Sequence, residues 1–466
     1  MARLAPGVTV GAVDSHHEFE QSGRRARLSR GLPPAACVLA YCLVAVAAYW
    51  PVSPFSSSWI MGCHCGDPAQ EAWFLTWPLF AISHLHNPLY STWIGYPVGV
   101  NLAANTAMPL LGVIAAPVTA LAGPVAAYNF LLRLGFAASA TSAFFVLRRW
   151  TQWQPAAFIG GLVYGFSPFL VGEGLGHAFL NFAPVPPLMF LVLSELLLTQ
   201  RRPAWQSGLT LGALAVAQLY ISSEILLTTT LMAGSAVVLA ALARPRLVAT
   251  RARHALTGLG WAAVLFLVLG GYDIWFFLAG PQHIVGPPHS VASLSPYHAD
   301  LLSAVIPTRS QRIAPFGVSL GDRLVGFNIT ETGAYIGIPL LMLLVGLVVR
   351  YRDDARVRLA AALAIWAYVL SMGARLVVDG YRTHVPLPFA VLEHVPIVQG
   401  ADSGRFSLFT NFFIAVLLSI GLSNVRADRR LAAISHRRLP ARTAALVLSA
   451  VCLVPLLPRF PYHEVA

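Results

Sequence analysis

Residues 103–149 read AANTAMPLLGVIAAPVTALAGPVAAYNFLLRLGFAASATSAFFVLRR. Two apolar stretches, 103–122 and 126–147, lie in tandem, with Gly123 and Pro124 between them and the pair Arg148, Arg149 at the end. Each is near the roughly 20 residues that a helix needs to cross a hydrocarbon core about 30 Å thick. Only one crossing fits between the preceding outer segment and the arginine pair, so the choice fixes the topology. The first stretch carries Pro109, Gly112 and Pro117, whereas the second has no breaker beyond Gly135. The second therefore reads as the span, and the first as a broken helix lying in or dipping into the outer interface.

The rest of the chain sets that choice in context. It has 466 residues, 57% hydrophobic and 11% charged, with mean hydropathy +0.67. Soluble domains carry about 25% charged residues, which excludes that class. The expected fold is all-α, a polytopic integral membrane protein. All basic residues are arginine, and 31 of them against 19 acids give +12. They gather in short clusters between apolar runs (24–30, 148–149, 201–202, 244–253, 350–358, 426–438), the pattern of cytoplasmic turns rather than of a nucleic-acid surface. An even number of spans must then separate successive clusters.

The spans read as 33–50, 126–147, 155–173, 178–199, 205–222, 223–243, 255–280, 333–349, 357–373, 406–422 and 441–458. That makes about eleven transmembrane helices, with the N-terminus cytoplasmic and the C-terminus outside. Residues 1–32 form a cytoplasmic tail, 33–460 the transmembrane domain and 461–466 an outer stub. Large outer loops cover 51–124, 281–332 and 375–405. The first run, 33–50, lacks a small-x-small cleavage site and reads as an anchor.

Under this topology the acids gather on the outer side. Asp67 and Glu71 lie in the first loop, Glu173 and Glu224 in short outer turns, and Asp300, Asp322, Glu331, Asp379, Glu393 and Asp402 in the later loops, with His177 and Arg405 at span boundaries. Each also has a plain structural reading. Asp67, Pro68 and Gln70 spell a helix start with Asp67 as N-cap, although a capping carboxylate keeps lone pairs for other work. The helix that follows sets Trp73, Trp77 and Phe80 along one side, which suits headgroup depth. His177 caps or packs as readily as it serves a site. Glu224 sits in an apolar turn, where an acid is costly and therefore a functional candidate. Arg405 stands on the outer side against the arginine trend, which favours an anionic partner over mere snorkelling to headgroups. Cys63 and Cys65 are too few for a four-ligand zinc site, and Cys37, Cys42 and Cys452 read as small core residues.

The stretch GDPAQEAWFLTWPLFAISHLHNPLYSTWIGYPVGVNLAANTAMPLLG (66–112), with GHAFLNFAPVPPLMFL, YISSEILLTTTL, TETGAYIGIPLL and GRFSLF, resembles a group of polytopic membrane proteins of high-GC Gram-positive bacteria. The group is similar in plan to the GT-C superfamily of glycosyltransferases, which use polyprenyl-phosphate-linked sugars. The resemblance covers about residues 33–460. It implies that Asp67, the first-loop acid, acts as general base or metal ligand. It implies that Glu173, with His177 beside it, assists, that Glu331 helps hold acceptor or metal, and that Arg405 binds the lipid phosphate. Glu71 and Glu224 join these as candidate substrate-binding residues. A divalent cation is the candidate cofactor. Relatives commonly continue into a soluble outer domain, whereas this chain stops at Ala466, which leaves acceptor recognition open.

These residues suit sugar transfer from a polyprenyl-phosphosugar donor to a glycan, lipid or protein acceptor of the cell envelope, with membrane lipids around the chain and no nucleic-acid partner. Two alternatives remain. A transporter or flippase of lipid-linked sugars needs charges along a path through the spans, for which Arg133 and Glu195 are the candidates. A non-catalytic partner in envelope synthesis needs only the fold.

Overall fold

The computed structural model describes residues 33–462, apart from positions 64, 152, 287–293, 295, 315–317, 325–332, 397 and 429–439. Each of the eleven stretches read as spans contains a helix. The helices used below are α1 (Pro34–Ala47), α2 (Asp67–Ser83), α3 (Pro109–Thr151), α4 (Gln154–Gly165), α5 (Pro168–Glu173), α6 (Ala178–Asn181), α7 (Val185–Ser194), α8 (Ala204–Ile221), α9 (Ser223–Ala243), α10 (Pro245–Ala279), α11 (Ile338–Arg350), α12 (Ala355–Ser371), α13 (Ser407–Ala427) and α14 (Ala441–Leu453). Among the described residues, five helical stretches are long and apolar enough to cross a membrane: Pro109–Thr151, Ala178–Thr199, Ser223–Ala243, Pro245–Ala279 and Ser403–Ala427. Shorter apolar helices run over Pro34–Ala47, Ile338–Arg350 and Ala441–Leu456. This is a multi-pass membrane protein.

The break in the opening stretch lies where glycine allows it. Gly123 adopts φ 87°, ψ 171° inside α3 and divides it in two. A side chain would disfavour that φ, and Pro124 begins the second segment with its own φ already helical. The first segment begins at Pro109 rather than at residue 103, because Leu102–Ala104 forms a separate 3₁₀ turn capped by Asn101.

At the centre is α13, buried from Ser407 to Leu422. Glycines let α4 approach it and α3 closely: a Cβ on Gly160 would meet Ser419 Oγ at 2.2 Å, and one on Gly165 would meet Ala140 Cβ at 2.3 Å and its Cα at 2.5 Å. Membrane helices depend on such close contact, because lipid gives them no hydrophobic drive to associate. Gly165→Ala is therefore expected to destabilise the fold by about 1–3 kcal/mol. Thermal unfolding in detergent tests this, and an unchanged midpoint would mean that α3 and α4 can part without cost. In contrast, α10 leaves Val264, Leu267, Val268 and Leu278 exposed, as helices facing lipid do.

Arg133 and Glu195 do not line a path. Arg133 is buried, donates to the carbonyls of Asn129 (2.7 Å) and Val52 (2.7 Å), and lies over the Tyr49 ring. Glu195 accepts from the backbone N–H groups of Arg201 (2.5 Å) and Arg202 (3.1 Å), closing the turn after α7.

Candidate active site

The loop before α2 is fastened to the transmembrane helices at several points. Asn129 on α3 accepts from Met61 N (3.0 Å) and donates to the carbonyls of Ser56 (3.0 Å) and Trp59 (2.7 Å). Cys63 N donates to Leu175 O at 2.5 Å, which lays the loop on the turn after α5, and a disulfide joins Cys63 to Cys65. Trp73 and Trp77 stack at 5.3 Å, and Phe80 lies 5.7 Å beyond, so the aromatic side expected of this helix is present.

The capping role expected of Asp67 is not what the structure has. The helix starts at Asp67 itself, Gly66 holds the cap position, and no side chain caps it. The carboxylate turns instead to His177, with Oδ2 3.3 Å from Nε2. His177 precedes α6 and likewise caps nothing; its Nδ1 lies 2.7 Å from Glu173 Oε2. Glu173 Oε1 in turn accepts from Arg405 Nη1 at 2.6 Å. Arg405 Nε approaches Glu224 Oε2 at 3.3 Å, and Nη2 lies 3.8 Å from Asp402 Oδ2. Segments far apart in sequence thus form one chain of charges from Asp67 to Arg405.

Burial grades this chain. The Asp67 side chain is 47% exposed, His177 11% and Glu173 not at all. Asp67 is therefore the end open to a reactant. The hydrogen bond from His177 holds its carboxyl below the usual aspartate range, so it stays ionised at neutral pH. Both ring nitrogens of His177 thus face carboxylate oxygens.

Five of the seven residues singled out from the sequence meet here: Asp67, Glu173, His177, Arg405 and Glu224. Glu71, expected at the substrate, lies instead beneath the site. One helical turn beyond Asp67, it is buried, and its Oε2 accepts from Ala178 N at 2.8 Å. Among the described residues its Oε1 has no hydrogen-bond partner. Glu331 falls outside the described residues. The sequence reading did not place Asp402 in the cluster, although its position three residues before Arg405 was the available signal. Arg405, expected to clamp a phosphate, already has three carboxylates around its guanidinium.

Burial pushes the Glu71 carboxyl from 4.5 up to about 8. The folded chain therefore holds a proton that the unfolded chain releases above 4.5. Stability should fall as pH rises from about 4.5 to about 8 and level off beyond. Glu71→Gln keeps an acceptor for Ala178 N and should remove that slope, with a gain of at least about 1.4 kcal/mol at the alkaline end, one pH unit's worth. Unfolding midpoints of wild type and variant on either side of this window check it; parallel pH curves would refute it.

Among the described residues, which do not include Glu331, the donors present do not fit a divalent cation. Among the described residues, the group of His, Cys, Asp and Glu whose ligand atoms lie within 4.8 Å of one another is Cys63, Cys65 and Asp67. The two cysteines are joined to each other, and both Glu173 oxygens are engaged. Among the described residues that leaves the Asp67 carboxylate, itself facing His177, too little for a hard cation that takes six or more oxygens from protein and water, so no step below passes through a metal.

The chain belongs to a family described as a domain of unknown function, DUF6311, whose model matches residues 35–454. No curated protein matches it by sequence. Among solved structures it is similar to the arabinofuranosyltransferase AftD from mycobacteria, with TM-score 0.47 and 16% identity over 92% of this chain and 28% of AftD. It is also similar to the oligosaccharyltransferase of Archaeoglobus fulgidus in the apo form, with TM-score 0.46 and 14% identity over 91% of this chain and 55% of that one. For AglB of the same organism, in complex with an inhibitory peptide and a dolichol-phosphate, the figures are 0.44, 13%, 91% and 54%. The chain thus spans less than two thirds of each. Their names are those of glycosyltransferases, the class that the quoted stretches resemble.

Proposed function

We propose that this protein is a membrane glycosyltransferase. It transfers a hexosyl or pentosyl group from a polyprenyl-phosphate-linked donor to a cell-envelope acceptor on the outer face of the plasma membrane. The observation that carries the reading is one half-exposed carboxylate, Asp67, held ionised by His177 and backed by the buried Glu173–Arg405 pair.

The steps follow from what such a transfer needs. The acceptor hydroxyl gives its proton to Asp67, and its oxygen attacks the anomeric carbon. The bond from that carbon to the donor's phosphate oxygen breaks, and the electron pair leaves with the polyprenyl phosphate. A positioned base contributes about 10²–10⁴-fold to such a step. His177 fixes the direction of the Asp67 carboxylate, and Glu173 with Arg405 fixes His177. The apolar helices explain a site at the membrane surface, where a lipid-linked donor is found.

The test uses membranes from cells that express the chain and from cells that lack it, each given radiolabelled polyprenyl-phosphosugars. Label appearing in a non-donor product only with the chain present is expected. Transfer from none of the hexosyl or pentosyl donors would leave the non-catalytic partner as the better reading. Flippase activity is disfavoured by the structural roles of Arg133 and Glu195.

A further inference from the structure

Residues 172–177 read GEGLGH and carry two members of the charge chain, Glu173 and His177, on the two sides of a turn. The helix before this turn, α5, has six residues, and the one after it, α6, has four. Helices so short do not stand by themselves, and their last carbonyls find no partner within them. The position of the turn is therefore set from outside it.

Three donors from distant parts of the chain set it. Tyr49, just after α1, donates from its hydroxyl to Gly174 O at 2.8 Å. Tyr462 donates from its hydroxyl to Val171 O at 2.7 Å, across 291 positions. Cys63 N holds Leu175 O from the side of the first loop. Gly174 O is open to Tyr49 because Ala178 N, which helical spacing would bring to it, is bound to Glu71 instead. Glycine gives the hydroxyls room: a Cβ on Gly174 would stand 2.9 Å from Tyr462 Oη and 3.0 Å from Tyr49 Oη.

The two tyrosines are themselves fixed. Their rings pack at 4.9 Å, and the Arg133 guanidinium lies 4.7 Å over the Tyr49 ring. Tyr462 N donates to Ala48 O at 2.8 Å. The segment leading to Tyr462 is tied to residues 310–312, through Arg459 N to Ser310 O (2.9 Å) and Arg312 N to Leu457 O (2.8 Å). Phenylalanine at positions 49 and 462 would fill the same space. What the hydroxyls add is direction, because each fixes a carbonyl within two residues of Glu173.

We propose that Tyr49 and Tyr462 are positioning residues for the reaction at Asp67, holding the turn so that Glu173 and His177 stay aligned behind the Asp67 carboxylate. The effect on rate rests on the transferase reading, whereas the alignment itself does not. A shift of about 1 Å, caused by a change away from the chemistry, can lower a rate by about 10²-fold.

The test compares the full wild-type chain in detergent with the Tyr49→Phe, Tyr462→Phe double variant. Amide hydrogen exchange is read over 171–178, with α13 as the reference for the whole fold. Each lost bond leaves a carbonyl unpaired, so exchange over 171–178 should quicken by about tenfold or more, and α13 should not change. The second readout is the titration of Asp67, followed by carbon NMR of aspartate-labelled protein with the signal assigned through Asp67→Asn. His177 holds this carboxyl low, so its midpoint should rise in the variant towards the ordinary aspartate range. Sugar transfer should show kcat lowered by about 10–100-fold, with the donor KM within about twofold. The proposal is overturned if Asp67 titrates alike in both proteins, if exchange over 171–178 is unchanged, or if α13 loosens as much as the turn, which would make the tyrosines supports of the whole fold. A wild type that transfers no sugar would remove the transferase reading, and the Asp67 titration would still decide whether the tyrosines align the site.

Discussion

Asp67→Asn is expected to lower sugar transfer by about 10²–10⁴-fold, the usual contribution of a positioned base. The variant should fold as wild type does. Asparagine has nearly the same shape, keeps an oxygen to face His177, and replaces a side chain that is 47% exposed, so little buried charge is disturbed. What it loses is the ability to take a proton. Donor binding should persist while turnover falls, which places the loss in the chemical step. The pH profile carries a second signature. His177 holds the Asp67 carboxyl low, so the acid limb of wild-type activity should lie below the ordinary aspartate range. His177→Ala should move that limb upward as well as lowering the rate. Equal label transferred by wild type and Asp67→Asn would remove Asp67 from the chemistry, whatever the protein's activity proves to be.

What the sequence could reveal depended on how local the signal was. The apolar stretches were legible because a membrane demands about 20 such residues in a row, and the break at Gly123 because only a glycine takes its φ with ease. The i, i+4 spacing of Glu173 and His177 was also readable, and the two do meet at 2.7 Å. Asp67 was misread as a cap because cap signals span three residues, whereas its partner His177 lies 110 positions away. The pairing of Glu173 with Arg405 crosses 232 positions, and nothing in composition or period reports it. Glu71 is a neighbour of Asp67, one helical turn on, but spacing does not show that its side of the helix is covered.

Arg405→Leu is expected to cost about 3 kcal/mol of stability, because it takes the guanidinium from Glu173, which has no exposed surface, and leaves that buried carboxyl with His177 alone. Glu173→Leu alone should cost less. Arg405 would still face Glu224 at 3.3 Å and Asp402 at 3.8 Å, so one charge partner is lost and two remain. Joining the two substitutions removes the stranded charge and replaces a demanding ion pair by apolar contact. The double variant should therefore unfold less readily than Arg405→Leu, with a coupling of about 2 kcal/mol, within the range for residues in one network. The same variant separates stability from catalysis. With Glu173 gone, His177 loses the carboxylate on Nδ1, so transfer should stay depressed even where the unfolding midpoint recovers. Chemical unfolding of the four proteins in one detergent completes the cycle. Additive costs would mean that Glu173 and Arg405 do not sense each other, and the continuous chain of charges from Asp67 inward would then fail at its buried link.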